Sequence, residues 1–129
     1  MRSVWGTFPE YHTSGDNLGF ILPKQLAQSF RLCATIVDIL ERNAYYCTRN
    51  PYCEPQLGRR NLYRSSDGEQ AGTEVSARLW VLNFADGNHS LLEIAERSKL
   101  PFAAISEAAD LLSQEGLLSV VRTPDGLAA

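Results

Sequence analysis

Only two histidines, His12 and His89, occur in 129 residues, and no cluster of His, Asp and Glu within the chain forms a metal-ligand pattern. That excludes a self-contained catalytic zinc site, which needs about three protein ligands on one metal. Cysteine is scarce as well. Cys33, Cys47 and Cys53 make an odd number, include no CxxC pair and match no common zinc spacing, so they read as buried or idle thiols. No apolar run is long enough to span a bilayer and no signal peptide is recognisable, so the expectation is a reduced, cytoplasmic protein without membrane contact. Excess positive charge is missing too. The formal net charge is -3, against the broad attraction for phosphate on which nucleic-acid binders depend.

What is present is ordinary globular material, 44% hydrophobic and 21% charged. The length suits one domain, or a short structured segment plus a very small domain. Charge is unevenly spread: residues 1–70 carry eight Arg or Lys against seven Asp or Glu, and residues 71–129 carry four against eight, a local net of -4.

Leu26, Phe30, Cys33, Val37, Leu40 and Ala44 recur at alternating steps of four and three, which predicts one apolar face of a helix over 23–47, with Pro23 in its first turn. Ile36 and Ile39 widen that face, so the helix expects a sheet or several partners rather than a single helix. The stretch "CTRNPYCEPQLGRRNLYRSSDGEQAG" then reads as a connector rich in turn formers. Its Arg49, Arg59, Arg60 and Arg64, interleaved with Tyr52 and Tyr63, have the makings of a phosphate patch, but arginines in such a linker more often pin it to the carboxylates and carbonyls of a neighbouring domain.

Regularity returns at Thr73. "EVSARLWVLNFADG" predicts a helix carrying Val75, Leu79, Trp80 and Leu82, ended by Asp86 and Gly87. Ser90 with Glu93 is a capping-box pattern for a second helix bearing Leu91, Ile94 and Ala95. Pro101 opens a third helix with Ile105, Ala109 and Leu112 inward, Gly116 suits a left-handed C-cap, and 117–121 reads as a strand. Three helices, a tight turn between the last two and a final strand predict a winged helix-turn-helix with a core of Leu79, Trp80, Leu82, Leu91, Ile94, Ala95, Phe102, Ile105, Ala109, Leu112 and Leu117. The expected exposed face of its last helix, Ala103, Ala104, Ser106, Glu107, Asp110, Ser113 and Gln114, has no cation, which favours a packing or protein-contact module over a DNA reader.

His89 reads as a surface or capping residue. His12, in "PEYHTSGDN" beside Tyr11 with Asp16 four residues on, is a reasonable but weak ligand candidate. With "YHTSGD" before a long helix, then "CEPQLGRRNLY" and "LWVLNFADGNHSLLEIAERSKLPF", the chain resembles the C-terminal part of a bacterial family of di-zinc aminopeptidase-like proteins with a C-terminal winged helix. Its "RNLYR" departs from that family's usual R-G-L-Y-P, which puts the turn around Asn61 and Arg64 in question.

The resemblance implies that His12 matches the family's last zinc ligand and Tyr11 a neighbouring catalytic tyrosine that stabilises the tetrahedral intermediate, with Asp16 orienting the loop or His12. It also implies metal-assisted peptide hydrolysis, in which zinc-bound water attacks the carbonyl after a glutamate takes its proton. The family's remaining ligands and its base would lie upstream.

The expected fold is therefore mainly α: the end of an α/β aminopeptidase-like domain (1–47), an arginine-rich connector (48–72) and a winged helix-turn-helix domain (73–129). The expected function is that of a C-terminal fragment of a zinc aminopeptidase-like protein, inactive and zinc-free alone. Its expected partner is an upstream catalytic domain or a second copy, its substrate in the full-length family is peptide, and nucleic acid and membrane are not expected partners. The competing reading is a stand-alone winged-helix module binding protein or nucleic acid.

Overall fold

The computed structural model describes residue 4, residues 6–63 and residues 70–122. They belong to two compact units, residues 1–37 and residues 38–129.

The first unit is a series of turns leading into helix α1, Pro23–Arg42, whose last residues belong to the second unit. The turns are closed by short-range bonds: the Thr13 N–H and hydroxyl both donate to the Glu10 carbonyl, and the Asp16 N–H donates to the Thr13 carbonyl. The predicted apolar stripe of α1 exists, yet no residue of the helix is buried, and Phe30 is 73% exposed.

Helix α1 stops five residues before the predicted end. Asn43 turns the chain, its side-chain oxygen accepting the Leu92 N–H at 2.9 Å, and the Ala44 carbonyl accepts the Leu91 N–H at 3.1 Å. Tyr45–Thr48 then forms strand β1. Aromatic and β-branched side chains in "YYCT" favour that extended conformation over helix.

The rest of the second unit consists of a 3-10 turn at Leu57–Arg60, then α2 (Gln70–Phe84), β2 (Asp86–Ser90), α3 (Leu91–Ser98), α4 (Phe102–Gln114) and β3 (Leu118–Arg122). The sheet order is β2-β1-β3, antiparallel throughout, with Tyr45 opposite Ser90 on one side and Thr48 opposite Leu118 on the other. Strand β1 is therefore the centre of the winged-helix sheet, although the sequence pattern predicts helix through Cys47 and connector from Thr48.

Helix α3 begins at the predicted capping box. The Ser90 hydroxyl accepts the Glu93 N–H at 3.3 Å, and the Glu93 carboxylate accepts the Ser90 N–H at 2.7 Å. Helix α4 ends as predicted at Gly116, with φ +70. The N–H of Leu117 reaches the Leu112 carbonyl and that of Gly116 the Ser113 carbonyl, a Schellman closure that brings the apolar Leu112 and Leu117 together.

The core is formed by Ala77 and Val81 of α2, Ala85 just after it, Leu91, Ile94 and Ala95 at α3, Ile105, Ala109 and Leu112 of α4, and Leu117 and Leu118. Trp80, Leu82 and Phe102 pack on it partly buried, but Leu79 is 40% exposed and is not a core residue: α2 turns the face of Ala77 and Val81 inward. The stretch read as a connector also enters the core, through Leu57 and Leu62 at 1% and 3% exposure. Between them Asn61 takes φ 56, a left-handed conformation that glycine adopts most easily and asparagine next. Arg64 lies outside the described residues.

Candidate metal-ligand site

His12 lies within the turn series with φ 58, in the left-handed region that few non-glycine residues occupy, His being enriched there with Asn and Asp. Its ring lies 4.0 Å from that of Tyr11 and is exposed, whereas Tyr11 is half-buried. Phe8 supports Tyr11 edge-on at 5.5 Å and stacks on Phe20 at 5.9 Å, so a small aromatic cluster fixes the tyrosine. Sequence and local fold thus present an imidazole to the outside and anchor its neighbour. No hydrogen bond joins Asp16 to His12 among the described residues; through its backbone Asp16 belongs to the turn closed on Thr13.

One imidazole does not make a zinc site. Among the described residues no group of three or more His, Cys, Asp and Glu is placed to hold a metal ion, so zinc at His12 requires ligands from elsewhere. Cys33, Cys47 and Cys53 are all free; Cys33 and Cys53 are exposed rather than buried, and Cys47 is half-buried in β1. His89 is a surface residue engaged locally: its Nδ1 lies 3.0 Å from Asp86 Oδ1, and its ring meets Phe84 edge-on at 5.2 Å. Backbone N–H donation from Asn88 is the main cause that holds the Asp86 carboxyl below its ordinary range, with His89 adding to it.

The second helix of the helix-turn-helix, α4, presents Ala103, Glu107, Asp110 and Gln114 to solvent. Ser106, expected on that face, is 2% exposed and packs inward, while Ala104 and Ser113 are half-buried. Asp110 is already engaged by Arg42 at 2.8 Å. Nearby Tyr46 is half-buried, and burial followed by the Asp110 charge raises its pKa against the opposing effect of Arg42. Of the connector arginines, Arg60 donates to the Glu115 carbonyl at 2.8 Å, the pinning that such residues favour. Arg49 and Arg59 are exposed.

The sequence reading missed Arg78, which is 8% exposed, donates to the Leu62 carbonyl at 2.6 Å and pairs with Glu74 at 3.2 Å. The only signal for it was the i,i+4 spacing of Glu74 and Arg78.

The winged helix-turn-helix family pattern matches residues 43–120, from just before β1 into β3. The chain belongs to the winged helix-turn-helix family. Residues 1–43 match a domain of unknown function (DUF4910), so the turn series with His12 and all of α1 lie outside the winged-helix match. A Clostridium acetobutylicum protein named for polysaccharide biosynthesis and an aminopeptidase-like domain is 43% identical over 122 residues, 94% of this chain. A crystal structure from the same organism, named as that of a peptidase, superposes with a TM-score of 0.78 at 41% identity over 94% of this chain. The winged-helix chain spans only 28% and 26% of the lengths of these two proteins, in a C-terminal part. Among the described residues no helix is long and apolar enough to cross a membrane.

Proposed function

We propose that this chain acts as the C-terminal segment of a zinc aminopeptidase-like protein whose substrate is peptide. In this reading His12 supplies one zinc ligand and Tyr11 a hydrogen-bond donor beside it, while the winged helix packs or contacts protein. The observation that carries the proposal is the exposed, left-handed presentation of His12 against Tyr11, in a segment shared with an aminopeptidase-like relative. Backbone strain of this kind persists where surrounding structure enforces it, and it gathers at ligand-holding positions.

The uncovered stripe of α1 fits the same reading. Leu26, Phe30 and Val37 offer an apolar helix face to a partner, and the remainder of an aminopeptidase-like domain is the occupant proposed, since roughly three quarters of each relative has no counterpart in this chain. The acidic outer face of α4 speaks for protein contact rather than nucleic acid. Three free thiols agree with a reducing, cytoplasmic setting.

Zinc content and aminopeptidase activity test the proposal. The isolated chain is expected to retain no zinc through dialysis and to leave aminoacyl substrates intact. A longer protein carrying the segment is expected to hold zinc and to lose part of it, with the activity, in His12→Ala. Stoichiometric zinc on the isolated chain, or unchanged zinc and activity in His12→Ala of the longer protein, would overturn it.

A further inference from the structure

A groove of about 830 Å³ lies between the segment that follows β1 and the second half of α2, within the winged-helix unit. Its volume is that of a site for a small ligand or a few peptide residues. The wall from α2 is apolar apart from Asn83. It includes Leu79, 40% exposed, and Trp80, whose ring is stacked on that of Phe84 at 5.3 Å. Among the described residues, the charged groups lining the groove are the carboxylates of Glu54 and Asp86, with no Lys or Arg.

Both carboxylates are fixed in place. Glu54 accepts a hydrogen bond from the Tyr63 hydroxyl, and Asp86 accepts the N–H groups of Asn88 and His89. Asn50 and Asn83 also line the groove, and among the described residues neither side-chain amide is engaged in a hydrogen bond. An indole and two carboxylates lining one groove attract an organic cation: Asp86 shares its charge with the His89 ring at 3.0 Å, whereas Glu54 is bonded to the neutral Tyr63 hydroxyl, and free amides suit the polar groups of a peptide backbone.

We infer that this groove binds a basic peptide segment, with a Lys or Arg side chain on Trp80, Glu54 and Asp86, and the neighbouring peptide groups on Asn50 and Asn83. The inference goes beyond the metal-ligand reading and is independent of His12. An acidic peptide meets like charge and is excluded. A simple amine satisfies the carboxylates but gains nothing from Leu79 or the amides.

The test is a fluorescence titration of the full 129-residue chain carrying Trp5→Phe, so that Trp80 alone reports. The probes are a capped Ala-Leu-Lys-Leu-Ala pentapeptide, its counterpart with Glu in place of Lys, and butylammonium. A saturable change is expected with the Lys peptide, with affinity lower by about tenfold or more for the other two. Glu54→Gln, which keeps a hydrogen-bonding partner for Tyr63, is expected to weaken the Lys peptide by about threefold or more while circular dichroism stays unchanged. Absence of saturation by about 5 mM, equal binding of the Lys and Glu peptides or of butylammonium, or an indifferent Glu54→Gln variant would overturn the inference.

Discussion

Leu57→Ala separates a core residue from a linker residue. Leu57 is 1% exposed, sits on a four-residue 3-10 turn, and accepts the Leu62 N–H at 2.9 Å on its carbonyl, while Arg78 holds the Leu62 carbonyl from α2. Removing a fully buried leucine side chain forfeits about 1.5–3 kcal/mol of transfer free energy, and in closed cores the measured loss reaches about 2–5 kcal/mol once the cavity is included. Here Gly58, Arg59 and Arg60 beside it are exposed, so the short turn can settle into the space, and the lower half applies, about 2–3 kcal/mol. A unit of this size has a total stability of roughly 4–12 kcal/mol, so the variant remains folded but weakened. Urea unfolding followed through Trp80, in a Trp5→Phe background, reads the effect: with a slope of about 1 kcal/mol per molar, the midpoint should fall by about 2 M. The exposed control Arg59→Ala should stay within about 0.5 kcal/mol. A midpoint shift below about 0.5 M for Leu57→Ala would refute the placement of this segment in the core.

The other predictions concern acid, helix α1 and DNA. Hydrogen bonds from the Ser90 backbone, then its side chain, lower the pKa of Glu93, and those from Asn88 and His89 lower that of Asp86; a depressed folded-state pKa gives stability that is present above the ordinary carboxylate range and lost as pH falls through it to the depressed value. The melting temperature should therefore drop in that acidic window, with a shallower drop in Glu93→Gln, and an unchanged slope would refute the coupling. At neutral pH, Ser90→Ala should cost about 1 kcal/mol through loss of the cap. Hydrogen exchange in the isolated chain should be faster along 23–37 than along α2 and α4, and Phe30→Glu should reduce self-association; uniform protection in a strictly monomeric sample would count against an uncovered face. A titration with mixed-sequence duplex should show negligible affinity at physiological salt and no steep rise as salt falls, whereas micromolar binding abolished by changing Arg49, Arg59 and Arg60 would contradict the protein-contact reading.

Elements that carry their own local signal were legible in the sequence. Ser90 and Glu93 fix the start of α3 by bonds between neighbours in the chain, and Gly116 fixes the end of α4 because its φ of +70 suits glycine. The strands β1 and β2 were not legible. "YYCT" is four residues long and follows a helical stripe in phase with it, while "DGNHS" is polar and carries a glycine; each is extended only because pairing in the sheet makes it so. Leu57 and Leu62 were hidden for a related reason, since a 3-10 turn among glycine, arginines and asparagine has no period to detect. Ser106, expected on the exposed face of α4, is buried beside Ile105 because a small hydroxyl side chain fits the inward face as readily as alanine does. Of the candidate site, the residue type and its Tyr11 neighbour were legible, but the left-handed backbone of His12 was not, because no local residue demands it.

The most direct test of the metal-ligand role is a zinc-edge anomalous map from crystals of a longer protein carrying this segment. The expected result is a zinc peak about 2.0–2.1 Å from a ring nitrogen of His12, with its remaining ligands drawn from outside residues 1–129. A zinc peak whose coordination is complete without His12 would contradict it.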